Sequence, residues 1–279
     1  MNKMQHPIQD PEAIRKAKKQ DWWVMFDDIN PQARKILEEY SGVAPADVVQ
    51  HVRDIRDRAI AIFAYPCIGA LTFLDIEINR TPCYDEIKQR IAAGENYLEV
   101  GCCFAQELRK LVIDGAPPEN LYGTDLDLSF VELGYELFRD KDRLKSQFIA
   151  ADILAPDSAV DALRGQMSII NAGYFFHLFS WEDQLTAGKR LVGLLSKENG
   201  NKGLITGRHV AGEIFEKMGW MDSDLYLHSI ESWNKLWEEI GEATGTEWAV
   251  SVTRDPLAKR SKVQTERKYY VMMFVCRQI

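Results

Sequence analysis

The chain has 279 residues, 46% of them hydrophobic and 27% charged, with a formal net charge of −8. That is the composition of an ordinary globular protein with a substantial core, and the acidic balance argues against a general nucleic-acid binder. No apolar run approaches the roughly 18 residues of a membrane span, the opening Met-Asn-Lys-Met-Gln-His-Pro has no secretory h-region, and the five cysteines show no framework spacing, which together predict a cytoplasmic chain with free thiols.

Residues 11–20, 31–40 and 46–63 carry apolar positions at helical spacing, with Pro11 and Pro31 suited to a first helical turn. Tyr65-Pro66-Cys67-Ile68-Gly69 breaks the pattern, and residues 85–93 read as a short helix closed by Gly94. From residue 97 strands and helices alternate. Strands are predicted at 97–100, 121–125, 147–150, 167–171 and 203–207, and helices at 104–114, 129–138, 157–163 and 181–194. Such alternation predicts a parallel sheet covered on both faces. A helix at 232–240 follows, then two closing strands at 247–253 and 269–277. Between them lies a basic segment, residues 254–268, with Lys259, Arg260, Lys262, Arg267 and Lys268 expected on a solvated loop. The expected fold is α/β, a Rossmann-like doubly wound sheet over residues 91–279, with residues 1–90 as a helical N-terminal cap and substrate lid.

Two strand ends carry the functional signal. Tyr97-Leu98-Glu99-Val100-Gly101 and Leu121-Tyr122-Gly123-Thr124-Asp125 are apolar runs ending at a glycine or an acid, one βα unit apart. Doubly wound sheets hold nucleotide-like cofactors at such strand ends. Asp125 follows Gly101 at about the spacing of the dinucleotide fingerprint, roughly 20 residues, and its carboxylate is the candidate acceptor for both ribose hydroxyls. A pyrophosphate cradle needs glycines where the phosphates meet the backbone. Here those positions hold Cys103 and Ala105, so a nicotinamide-dependent oxidoreductase is the weaker reading.

The Glu99, Gly101 and Asp125 pattern resembles motif I of the class I S-adenosylmethionine-dependent methyltransferases, from which Cys103 and Ala105 depart. The resemblance implies a seven-stranded sheet with the last strand antiparallel. It implies that the turn from Gly101 to Cys103 packs on the methionine part of S-adenosylmethionine and that Glu99 helps hold the ammonium end. It further implies that Asp125 and Leu126 flank the ribose, that Asp152 meets the adenine amino group, and that Ile153 packs on the ring. Asn171 is expected near the transferred methyl. Tyr65-Pro66-Cys67-Ile68-Gly69, Val100-Gly101-Cys102-Cys103-Phe104, Leu108-Arg109-Lys110-Leu111, Asp114-Gly115-Ala116-Pro117, His177-Leu178-Phe179-Ser180-Trp181 and Ser232-Trp233 are similar to a narrower group, the fungal secondary-metabolite methyltransferases of meroterpenoid pathways. That likeness implies a small polyketide- or terpenoid-derived acceptor.

After the fourth predicted strand come Tyr174, Phe175, Phe176 and His177, expected with Tyr65 to line an apolar substrate pocket. His177 is the candidate catalytic residue because an imidazole titrates near neutrality; a hydrogen-bonded core histidine is the equal alternative. His209 and His228 are poorer candidates of the same kind. A carboxylic acid is already ionised at neutral pH, whereas a phenol, with a pKa of about 10, needs a base. Carboxyl O-methylation is therefore the first expectation and phenolic or alcoholic O-methylation the second. No Cys/His spacing suggests a zinc site, and metal-free transfer is expected. A degenerate binding module, an RNA methyltransferase and a homodimer built on the N-terminal helices are weaker possibilities.

Overall fold

A computed structural model describes residues 11–197, 202–220, 223–255 and 269–279, without the side chains of 218–220 and 223–225. Residues 1–10 and 256–268 lie outside it, so the readings placed on the N-terminal heptapeptide and on Lys259, Arg260, Lys262, Arg267 and Lys268 fall outside the described residues.

The strands are β1 (Tyr97–Val100), β2 (Leu121–Asp125), β3 (Gln147–Ala150), β4 (Ile169–Asn171), β5 (Leu204–Ala211), β6 (Glu216–Trp220), β7 (Ser223–Leu227), β8 (Trp248–Arg254) and β9 (Tyr270–Gln278). Seven form one sheet in the order β3-β2-β1-β4-β5-β9-β8. The strands from β3 to β5 pair in parallel, and β9 is antiparallel to both neighbours. The order reverses between β1 and β4, which makes the crevice beyond their carboxyl ends the switch point where such sheets bind ligands.

Three expectations need correction. The fifth strand does not stop at Gly207; pairing with β9 carries it to Ala211, so Arg208 and His209 lie within the strand and not after it. The fourth strand begins at Ile169, with Met167 making only an isolated bridge to Leu195. Residues 157–163 hold a 3₁₀ segment, Ala159–Leu163, in place of an α-helix. In addition β6 and β7 form a separate antiparallel hairpin that the sequence pattern did not suggest.

Helices cover both faces. α8 (Trp181–Leu194) and α9 (Ile230–Thr244) bury Leu191, Leu194, Trp233 and Trp237 against Val100, Ile170 and Ile205. On the other face α5 (Tyr84–Ala92), α6 (Gln106–Ile113) and α7 (Ser129–Phe138) bury Ile87, Leu108 and Val131 with Tyr97 and Leu121. The alternation of β1 explains the split, because successive side chains point to opposite faces.

The N-terminal part supplies α1 (Pro11–Ala17), α2 (Pro31–Lys35, continued by the wider turn Ile36–Tyr40), α3 (Val48–Ile62) and the short α4 (Pro66–Gly69). Asn30 caps α2 by accepting from the Ala33 N–H, with Pro31 in the first turn. These helices share a core of Leu37, Val52, Ile60 and Phe73 with Phe104, Phe130 and Leu137. α7 packs on both this layer and the turn after β1, whose Phe104 also meets Phe73 directly, ring to ring at 4.7 Å. Gly134 of α7 makes the closest approach: a Cβ there would lie 2.4 Å from the Phe104 carbonyl oxygen. Gly69 is equally constrained, since a Cβ would meet the Trp22 ring at 2.2 Å.

Candidate active site

The turn after β1 is tied to β2. The N–H groups of Gly101 and Cys102 donate to the Thr124 carbonyl at 2.8 and 3.0 Å. Asp125 accepts from the Cys103 N–H at 2.8 Å and from the Asp127 N–H at 3.3 Å. Burial raises the Asp125 carboxyl, opposed by these backbone donors. Asp127 accepts from the Ser129 N–H at 2.8 Å at the start of α7. Leu126 is 69% exposed beside this site.

Backbone angles explain the motif's departures from glycine. Gly101, Cys103 and Ala105 all have positive φ, 68°, 48° and 51°. The turn keeps the left-handed conformation that glycine favours while carrying Cβ atoms at two of the three positions, each costing about 1–2 kcal/mol. Ala105 is fully buried, so removing its methyl forfeits about 0.8 kcal/mol of burial. Ala105→Gly is expected to raise stability by up to about 1 kcal/mol, read as a higher denaturant midpoint at unchanged slope. A lower midpoint would show that the turn's conformation does not strain residue 105.

Glu99 is buried on the α6 side of β1. It accepts from the Tyr97 hydroxyl and from Asn171 Nδ2 at 3.0 Å. Burial, with Glu107 close by, pushes it up to about 8. Glu99, Asn171 and Thr206 are in register across β1, β4 and β5, which joins two predicted cofactor residues directly. Asp152 is exposed after β3 and accepts from the Leu154 N–H at 2.8 Å, while Ile153 is buried in the α8–α9 core.

The loop after β4 separates its aromatics. Tyr174, at φ 50°, is 37% exposed, and its N–H donates to the Arg208 carbonyl at 2.6 Å. Phe175 lies against Gly101, where a Cβ would meet its ring at 3.3 Å. Phe176 is fully buried, packed edge-on against Trp233 and Phe274, so it is core and not pocket. Tyr65 is half-buried in the N-terminal core, 5.7 Å from the Phe130 ring. His177 is buried, with its ring 6.0 Å from those of Tyr174 and His209 and Nδ1 unpartnered. Burial alone pulls it down to about 4. His209 stacks on His228 at 5.9 Å and stays neutral for the same reason, with the two neighbouring rings adding to the effect. His228 is fully engaged, bonding Ser232 Oγ at 2.9 Å and Gln184 Oε1 at 2.7 Å, which makes it a satisfied core histidine.

Two charged assemblies escaped the sequence reading. The Arg109 guanidinium, 0% exposed, pairs with Asp140 through Nε at 2.8 Å and Nη2 at 2.9 Å, and Nη1 donates to the carbonyls of Phe104 and Ala105. Asp140 also accepts from the Tyr40 hydroxyl at 2.9 Å. This ion pair ties the cofactor turn to the N-terminal helices. The second assembly joins Arg208 to Glu77 and Asp255. The only sequence signal for it was the position of Arg208 just past a predicted strand end.

The sheet order and a glycine-and-acid site at its switch point define a Rossmann-like S-adenosylmethionine-dependent methyltransferase. Its fold is similar to that of a SAM-dependent methyltransferase from Leishmania major, with a TM-score of 0.52 and 11% identity, covering 82% of each chain. The model of the meroterpenoid methyltransferase N-terminal domain matches residues 22–74, which hold α2 to α4. The Asnovolin E/Chermesin D methyltransferase nvfJ of Aspergillus novofumigatus is 46% identical over 226 residues, covering 79% of this chain and 80% of its own. The methyltransferase adrK of Penicillium roqueforti is 42% identical over 241 residues, covering 85% and 86%. The O-methyltransferase phiE of a fungal species is 40% identical over 253 residues, covering 87% and 83%. The chain belongs to the fungal secondary-metabolite methyltransferases of the meroterpenoid type. S-adenosylmethionine is its expected cofactor. Among the described residues no helix is long and apolar enough to cross a membrane.

Proposed function

We propose that the enzyme methylates a carboxylate of a small polyketide- or terpenoid-derived metabolite. The carrying observation is the state of His177. It is buried among aromatic rings, and burial alone depresses it, with no charged group acting on it. A base with a pKa of about 4 is poorly matched to a phenol near 10, because proton transfer works best between groups of similar pKa. A carboxylate acceptor needs no base.

The site residues fit the cofactor. Glu99 is a buried acid that accepts only from neutral donors among the described residues and so offers a place for the ammonium group. Asp125, at the end of β2, would take the ribose hydroxyls, and the Gly101 turn would supply a small surface for the methionine part. S-adenosylmethionine supplies an electrophilic methyl group when bound. The protein's part is to bind, align and exclude water, and orientation alone can contribute several kcal/mol. Phe175 forms the wall beside Gly101, and Tyr174 lies over Arg208. The N-terminal helical layer serves as the lid over the acceptor, in keeping with its packing against the turn through Phe104 and α7.

Radiolabel transfer to a panel of terpenoid carboxylic acids and phenols tests this reading. Methyl esters are expected. His177→Gln should lose less than about tenfold in kcat, since no proton is removed, and kcat at saturating cofactor should be flat from about pH 6 to 9 because both the acceptor (near 4) and His177 have finished titrating. Glu99, pushed up to about 8, should show its titration in that window as a change in cofactor affinity. Aryl or alkyl ethers as products, with a loss of about 10²–10⁴ in that variant, would instead assign a hydroxyl acceptor and a basic His177.

A further inference from the structure

Arg208 is 6% exposed, yet its Nη1 has no hydrogen-bond partner. The rest of the guanidinium is held: Nε lies 2.7 Å from a Glu77 carboxylate oxygen and Nη2 donates to Asp255 at 2.6 Å. Arg80 pairs with the same Glu77 and approaches Asp255 at 3.8 Å. Glu107, from the first turn of α6, accepts from the N–H groups of Glu77 and Ile78. A buried guanidinium with one idle nitrogen is costly unless something is meant to meet it.

Its place in the fold says what. Thr206 is in register with Asn171 and Glu99, and residues two apart on a strand share a face. Arg208 therefore lies on the Glu99 face of the sheet, on the part of β5 that runs beyond the carboxyl ends of β1 and β4. From there its side chain reaches Glu77, which precedes the 3₁₀ turn Ile78–Arg80 and is held through its N–H by Glu107 of α6, the helix that opens at the cofactor turn. The exposed Tyr174 ring covers it, 5.6 Å from the guanidinium carbon. We propose that Arg208 binds the carboxylate of the cofactor's amino-acid end, with Nη1 as donor, while Glu99 takes its ammonium. Charge selects this ligand. The cluster already holds three carboxylates, Glu77, Glu107 and Asp255, against two guanidinium groups. A lone acceptor carboxylate would add a fourth, whereas an amino-acid zwitterion brings its own cation. The inference depends on the cofactor and not on the identity of the acceptor.

Calorimetric titration of the full chain with S-adenosylhomocysteine and with its decarboxylated analogue tests it. The wild type should bind the analogue about 10- to 100-fold more weakly, the worth of one charge-assisted hydrogen bond. In Arg208→Gln the affinity for S-adenosylhomocysteine should fall by that factor and the two ligands should bind within about threefold of each other. If Arg208 only braces Glu77 and Asp255, both ligands weaken together and the gap persists. Equal binding of the two ligands by the wild type overturns the proposal without any variant. Should Arg208→Gln fail to fold, Arg208→Lys keeps the charge for Glu77 and Asp255 but not the fork, and its gap should be narrower than the wild type's; an unchanged gap counts against the proposal.

Discussion

Asp125→Ala is expected to weaken S-adenosylhomocysteine binding by about 100-fold, the loss of hydrogen bonds to a charged acceptor worth roughly 3 kcal/mol. Calorimetry reads this directly. The carboxylate has two tasks that the experiment must separate, because it also accepts from the Cys103 N–H. Asp125→Asn keeps an oxygen for that bond but presents an amide to the ribose. It should therefore retain the wild-type melting temperature while losing most of the affinity. An alanine variant that melts early yet binds normally would reduce Asp125 to a brace for the turn.

Arg109→Met is expected to cost about 3–5 kcal/mol of folding stability, the usual penalty for leaving one partner of a buried ion pair behind. Asp140 would keep only the Tyr40 hydroxyl among its side-chain donors here, and the carbonyls of Phe104 and Ala105 would lose their guanidinium donor. Denaturant unfolding reads the loss. Arg109→Lys should recover only part of it, since an ammonium cannot reproduce the two parallel bonds to Asp140. A change below 1 kcal/mol would show that the pair is not closed in the folded protein. The arginine in Leu108-Arg109-Lys110-Leu111 thus has a structural task behind the cofactor turn.

The parallel strands were legible because each is a short apolar run, the first two ended by a glycine and an acid, and the topological rule then placed Gly101, Asp125 and Asn171 at one edge. The β6–β7 hairpin was not legible, since residues 216–227 contain no Asn-Gly or Asp-Gly pair to announce a tight turn. β5 was ended too soon because Arg208 and His209 look like loop residues. They are buried only because β9, more than 60 residues on, pairs along that stretch. Phe176 illustrates the opposite limit. A run of aromatics after a strand says that an apolar surface exists, but only Trp233 and Phe274 decide that this ring faces the core. Arg208 offered only its place just past the predicted strand end, because its partners Glu77 and Asp255 are remote in sequence.

The contact between Gly134 and the Phe104 carbonyl has a consequence for how the two ligands sense one another. Backbone meets backbone there, so no side chain can absorb a shift of the cofactor turn by changing rotamer. The same face of α7 carries Phe130 and Leu137 into the N-terminal core, one turn to either side of Gly134. Order imposed on the turn by one ligand is therefore expected to appear as order in the helices proposed to cover the other. Thermodynamic reciprocity then requires the traffic to run both ways: whatever factor cofactor occupancy adds to acceptor affinity, the acceptor returns to the cofactor.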